Sequence, residues 1–344
     1  MERNAKIGVA GVVLVGLGVA VYYQHKKDAA LGAPVSQADL PELKVPDDVD
    51  KIDIVNGSKG EVVLEKHGDK WELTKPVNAP ANQTNVKSVV DNLKELKVSD
   101  VASKTADEES KKTYDLTPDK AVHVMVFKGA DKKFDATFGK SGGLGDAMML
   151  DGNPSIYLVK GYSSWMYARE PKDWRDREIF KFEDSDVTSL SLDGKNGHFV
   201  FSKAEADGGA GDWMRTDDKK PIAHFDPQKA KTAVSAFKNL SAEDFGDGKT
   251  AADTGLDAPE ETVTVKMKDG ATHVLKIGKT ADKGSHYAQK EGDGTIYTIG
   301  SYPYEWATGE ASKFEQATDA GAPDAGHPAH PAHPVPPKMD AGKK

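Results

Sequence analysis

A chain of 344 residues, 38% hydrophobic and 29% charged, has room for two domains of ordinary size, each with its own core. Its net charge of −9 argues against a nucleic-acid surface, which needs clustered Lys and Arg. Cysteine is absent, which excludes disulfides, a thiolate nucleophile, iron–sulfur clusters, thiolate zinc sites and a lipid-modified N-terminal cysteine.

Ile7 to Tyr23 runs for 17 residues without a charge, the short end of a membrane-spanning helix and longer than most signal-peptide cores. Arg3 and Lys6 flank it on one side, Lys26 and Lys27 on the other, and Tyr22 and Tyr23 suit the interface. Basic residues directly after the apolar run disfavour cleavage, although Ala29 to Ala33 imitates a cleavage site; a buried core helix is the remaining alternative. The expectation is an uncleaved anchor within residues 1–27, inserted in a bacterial inner membrane through residues 7–23. The two flanks tie in basic residues, so the positive-inside count does not orient it. The short N-terminal stub favours a single-pass arrangement with the body outside the cytoplasm, in the periplasm. Residues 28–48 carry Pro34, Pro41 and Pro46 among small and acidic residues and read as an extended tether. Residues 315–344 turn into Ala, Gly, Asp, His and Pro and read as a disordered tail.

Between tether and tail the chain repeats itself. Trp71 is answered by Trp213 (213 − 71 = 142), Leu116 by Leu256 (140), Pro118 by Pro259 (141), Gly139 by Gly278 (139), Tyr157 by Tyr297 (140) and Trp165 by Trp306 (141). An offset held this steadily predicts one domain present twice, residues 49–184 and 185–314.

The predicted elements repeat too. Lys51 to Val55, a turn at Asn56-Gly57, Glu61 to Glu65 and Lys70 to Thr74 read as strands. Thr188 to Leu192, a turn at Asp193-Gly194, His198 to Ser202 and Trp213 to Thr216 answer them. Val86, Val89, Val90, Leu93 and Leu96 then fall at helical spacing with Thr84 as N-cap. Ala230, Ala233, Val234, Phe237 and Leu240 repeat the spacing, with Asp226 as cap and Pro227 as first residue. Alternating strands follow: Ala121 to Phe127, Phe134 to Phe138, Ala147 to Leu150 and Ser155 to Val159. Their echoes are Thr262 to Met267, His273 to Ile277, His286 to Gln289 and Thr295 to Ile299. Tight turns between them require antiparallel pairing, because a parallel crossover needs a dozen or more residues. Tyr162 to Tyr167 and Tyr302 to Ala307 close the copies as short aromatic segments. The fold class expected is α+β: hairpin, helix, antiparallel meander and short helix, twice, after one transmembrane helix.

Trp71-Glu-Leu-Thr-Lys-Pro76, Tyr114-Asp-Leu-Thr-Pro118, Phe138-Gly-Lys140, Ile156-Tyr-Leu-Val159 and Trp174-Arg-Asp-Arg177 together give the chain a family likeness. Over roughly residues 48–312 it resembles the domain of unknown function family DUF4340. The second copy departs from the pattern: Trp213 reaches Pro221 through a longer insert, and no Trp-Arg-Asp-Arg follows Trp306. The resemblance implies a membrane-anchored bacterial protein of the kind found beside ABC-type transporter components linked to gliding motility. It transfers no catalytic residue.

The candidate chemistry is sparse. Gly139-Lys140-Ser141 and Gly278-Lys279-Thr280 end like phosphate loops, but the glycine needed five positions earlier is Phe134 in one and His273 in the other. A turn and strand follow rather than a helix, so no nucleotide is expected, and the glycines read as sites of a backbone turn or close strand approach. His327, His330 and His333 recur every third residue and could share one edge of a polyproline helix. Neighbouring rings would then stand about 9 Å apart at ~3.1 Å per residue, too far for one preformed metal site, so they are weak metal candidates within a spacer. Trp174, Arg175, Asp176 and Arg177 read as an ion-paired connector between the copies and, at most, an interaction patch. Trp71, Trp165, Trp213 and Trp306 read as core. No Gly-x-Ser-x-Gly elbow or triad spacing occurs, and neither catalytic residues nor a cofactor is expected. The function expected is a membrane-anchored extracytoplasmic interaction or scaffold protein with a protein partner in a transporter, envelope or gliding complex. The alternative is a ligand- or polymer-binding module using the cleft between the copies, and a hydrolase comes third.

Overall fold

The computed structural model describes residues 40–206, 209–217 and 221–316. The expected anchor at residues 7–23, the tether up to residue 39 and the tail from residue 317 lie outside the described residues. Among the described residues, no helix is long and apolar enough to cross a membrane. The chain divides between Glu178 and Ile179 into two compact units, and Ile179, Phe180 and Phe182 pack into the second core.

The first unit begins with β1 (Lys51–Asn56), β2 (Gly60–His67) and β3 (Lys70–Lys75). Strict alternation in β1 buries Ile52 and Ile54 and leaves Lys51, Asp53 and Val55 half-exposed, as a sheet with one covered face requires. The two-residue β4 (Ala79–Pro80) leads into α1 (Gln83–Glu95), which turns Val86, Val89 and Leu93 into the core. The cap of α1 is Asn82, whose side chain accepts the Asn85 N–H at 3.0 Å, rather than the expected Thr84. Next come β5 (Lys97–Ser103), α2 (Glu108–Thr113), β6 (Val122–Lys128), β7 (Asp131–Gly142), β8 (Gly145–Leu150), β9 (Ile156–Lys160) and α3 (Ser164–Tyr167). The strands form one nine-stranded sheet in the order β4-β3-β2-β1-β6-β7-β8-β9-β5, and every pairing is antiparallel.

The second unit repeats the path with β10 (Val187–Gly194), β11 (Gly197–Ala206), β12 (Gly209–Arg215), α4 (Pro227–Ser235), β13 (Asp244–Phe245) and α5 (Ala251–Thr254). It continues with β14 (Glu261–Met267), β15 (Thr272–Thr280), β16 (His286–Lys290), β17 (Tyr297–Ile299) and α6 (Ser301–Ala307). Its eight-stranded sheet runs β12-β11-β10-β14-β15-β16-β17-β13. Without β4, the first sheet has this same order. Asp226 caps α4 with Pro227 at its first position, as expected. The structure is therefore α+β and mostly sheet: two antiparallel sheets with few helices.

The twin Gly-Lys pairs occupy matching bulges. The β7–β8 register slips between Phe138 and Ser141, and the β15–β16 register between Ile277 and Thr280. A methyl group on Gly139 would sit 2.2 Å from the Tyr114 carbonyl oxygen, and one on Gly278 would sit 2.2 Å from that of Thr254. Each glycine is required because the end of a short helix, α2 or α5, presses its carbonyl against the bulge. In the first unit the Lys140 N–H donates to that carbonyl at 2.8 Å.

Candidate functional site

The segment Trp174–Arg177 serves as a closing clip of the first unit. Pro171–Trp174 forms a 3-10 turn that drives the Trp174 ring into complete burial. The Trp174 carbonyl accepts the Asn82 N–H at 2.8 Å, and the Asp176 N–H donates to the Pro80 carbonyl at 2.8 Å. The chain is thus tied to the start of α1. Arg175 is buried, Asp176 is exposed, and half-buried Arg177 reaches Asp173 at 3.2 Å.

The second unit has a counterpart that the sequence hides. Ala311–Phe314 forms the equivalent 3-10 turn and buries Phe314 where the first unit buries Trp174. The Phe314 carbonyl accepts the Asp226 N–H, and the Gln316 N–H donates to the His224 carbonyl, each at 2.8 Å. With Phe314-Glu315-Gln316 in place of Trp174-Arg175-Asp176, only the backbone and the buried ring are shared.

Trp165 corrects the expectation that the four matched tryptophans are core. Trp213 is buried, Trp71 and Trp306 pack half-buried against their cores, and Trp165 is 64% exposed. The cause is Arg169, whose guanidinium lies 5.2 Å from the Trp165 ring and 5.7 Å from the Trp174 ring. Its Nε donates to the Met166 carbonyl at 3.0 Å, and burial holds its pKa below the ordinary arginine value. The exposed indole is the outer plate of a Trp–Arg–Trp stack anchored in the core, and cation–π contact holds it in place. In the second unit Trp306 packs within 6.1 Å of Phe314, and the exposed ring of α6 is Tyr302, at 54%. Tyr302 borders an open groove of about 630 Å³, lined also by Lys229, Glu305, Trp306, Lys313 and Glu315.

A second cluster, buried and polar, occupies the hairpin end of the second unit. Glu261 opens β14 opposite Gly194, is only 1% exposed, and neither of its carboxylate oxygens has a hydrogen-bond partner of normal geometry. A methyl group on Gly194 would fall 1.6 Å from Glu261 Oε2, so the carboxylate lies directly against the turn backbone. Burial pushes the Glu261 pKa from 4.5 up to about 7, Lys195 pulling it down and Glu260 pushing it up. His286, 8% exposed, stacks on Tyr304 with ring centroids 3.4 Å apart, and its Nδ1 is buried without a partner. Burial lowers its pKa against the opposing pull of the Gly278 backbone and the Glu260 charge. Lys195 Nζ donates to the Tyr304 hydroxyl at 3.4 Å, and Asn196 Nδ2 donates to the Thr308 carbonyl at 2.8 Å. The β10–β11 turn is thereby fastened to the segment containing α6.

None of this cluster was nominated from sequence, because Glu260-Glu261 reads as a solvated acidic step into a strand. One signal was available: the register that pairs Val122 with Phe138 pairs Glu261 with Ile277, setting a glutamate where the first copy has valine. His327, His330 and His333 lie outside the described residues. Among the described residues, no group of three His, Asp or Glu side chains is placed to hold a metal ion.

A family model described as "Domain of unknown function (DUF4340)" matches residues 71–259 and 247–316. The two segments overlap at residues 247–259, within the second unit. No curated protein matches the chain.

Proposed function

The chain belongs to the DUF4340 family, and from that premise we propose that it is a membrane-anchored extracytoplasmic interaction or scaffold protein, an accessory to an ABC-type transporter or an envelope or gliding complex. The observation that carries this reading is the Trp165–Arg169–Trp174 stack, which spends a core-anchored arginine on holding an indole out in solvent. Tryptophan and arginine dominate the energetics of protein interfaces, and a ring already fixed in position loses little conformational freedom on binding. Tyr302 offers a second exposed ring on the matching short helix of the other unit. In this reading the apolar run at residues 7–23 is the anchor, and the short N-terminal stub before it favours a body in the periplasm.

The test is co-purification from detergent extracts of the native membrane. Full-length protein should retain transporter or envelope components that the Trp165→Ala variant loses by about tenfold or more, the range of a 2 kcal/mol interface hot spot. Equal recovery by both proteins rejects the reading. A second reading, binding of a small ligand or polymer, is favoured by the groove beside Tyr302 within the second unit. In that case Tyr302→Ala abolishes binding and Trp165→Ala leaves it intact.

A further inference from the structure

The second unit buries an acidic side chain without a side-chain partner, and that choice is local. Glu261 lies under the tip of the β10–β11 hairpin, in contact with the backbone of Gly194. Both of its oxygens are buried without a side-chain partner, and the Lys195 backbone N–H of the turn is the group directed at them, opposing the larger effect of burial. An ionised carboxylate in such a place is strongly unfavourable, and a protonated one is tolerated. The charges facing it are Lys195 from the hairpin turn, Glu260 from its own segment and Lys313 from the 3-10 turn. Lys195 is committed to the Tyr304 hydroxyl, on the helix whose ring also covers His286.

We propose that Glu261 is a proton-operated latch of the second unit: its protonated carboxyl lets the β10–β11 turn close on β14, and loss of that proton releases the turn together with its Lys195 and Asn196 contacts to the α6 segment. α6 carries Tyr302, so the latch sets whether that ring is held in its present place. The latch does not depend on the docking proposal, because it is read without any partner.

The direction follows from linkage. The closed state binds the Glu261 proton more tightly than the open one, so closure is favoured at low pH and weakens as pH rises from 4.5 to about 7, then levels off. His286 acts in the opposite sense, since its lowered pKa penalises the closed state at acid pH. The two are separated by substituting Glu261 alone.

The experiment is hydrogen–deuterium exchange on the full-length protein in detergent, with rates divided by the intrinsic exchange rate at each pH. Opening of residues 193–199 should rise by up to about tenfold per pH unit within the window from 4.5 to about 7, less what His286 subtracts at its acid end, and then reach a plateau. The first unit's hairpin at residues 55–62, which faces Val122, serves as the comparison: Asp53, raised by burial and by Glu61, gives it a response of its own that Glu261→Gln should leave unchanged. Glu261→Gln should remove the rise with pH, leaving only the opposite, acid-side opening due to His286. Equal pH dependence in both hairpins, a flat response in the second, or an unchanged response in Glu261→Gln overturns the proposal. Should that variant not fold, Val122→Glu places the same carboxyl in the first unit. Residues 55–62 should then acquire the pH dependence, and their failure to do so also overturns the proposal.

Discussion

The two units share eight strands in one order, matching bulges and matching 3-10 clips, and they part company where side chains rather than backbone are at stake. Under the hairpin tip the first unit has Val122 and the second Glu261. At the start of the following hairpin's return strand, Asp146 in the first stands where His286 does in the second. Between the short terminal helix and the buried clip ring, the first unit sets Arg169 against both Trp165 and Trp174, whereas in the second Trp306 packs on Phe314. The buried amide of the first unit is satisfied: Asn92 accepts the Tyr167 hydroxyl at 2.9 Å and donates to the Gly161 carbonyl at 2.6 Å. Unmet buried polar atoms occur in both units, at Asp53 and Trp174 in the first and at Glu261 and His286 in the second. Divergence after duplication has kept what the backbone needs and released the rest, and the released positions are the ones with unusual chemistry.

That comparison can be broken at several points. The largest effect is expected at the clips. Trp174→Ala and Phe314→Ala each remove a fully buried ring and should cost about 3–5 kcal/mol in their own unit. Exchange-monitored urea unfolding should show the loss confined to the mutated unit, and equal loss in both would mean that the clips do not act unit by unit. Gly139→Ala and Gly278→Ala come next. A methyl group 2.2 Å from a carbonyl oxygen forces the bulge apart in either unit, and each substitution should cost about 1–3 kcal/mol, matched between units. Unequal costs in thermal or urea melts would show that the bulges are equivalent only in outline. The smallest effect is expected at Trp165→Ala, which should change stability by no more than about 0.5 kcal/mol, because its ring is exposed. A loss near that of Trp306→Ala would show the ring to be structural and weaken its role in docking.

Much of this architecture was legible in the residues alone. Period-two strands, the Asp226-Pro227 helix start and the steady repeat offset led to two antiparallel α+β copies, and the structure has them. The strand β5 escaped because Lys97 to Ser103 is interrupted by bulges at Val98/Asp100 and Val101/Ser103, which destroy alternation along an edge. The short helix α2 escaped because none of its residues is buried, so no apolar stripe marks it. The second clip escaped because its hydrogen bonds are made by backbone and only one ring is shared with Trp174-Arg-Asp-Arg177. Trp165 misled because equivalence with Trp306 fixes where a residue stands on the fold, whereas exposure depended on Arg169, four positions away. Glu261 became visible only once β14 was set against β6, since its meaning lies in what the other copy has there.

The clips also bear on synthesis. Two tandem domains with the same strand order are natural partners for strand exchange while both are incomplete, the characteristic misassembly of repeated sequences. Because the first unit is fastened by its own last residues, Trp174 to Asp176, every bond it needs is encoded before Val187, the first strand residue of the second unit. The first sheet can therefore close before the second set of strands is complete, and the order of translation helps to separate the twins.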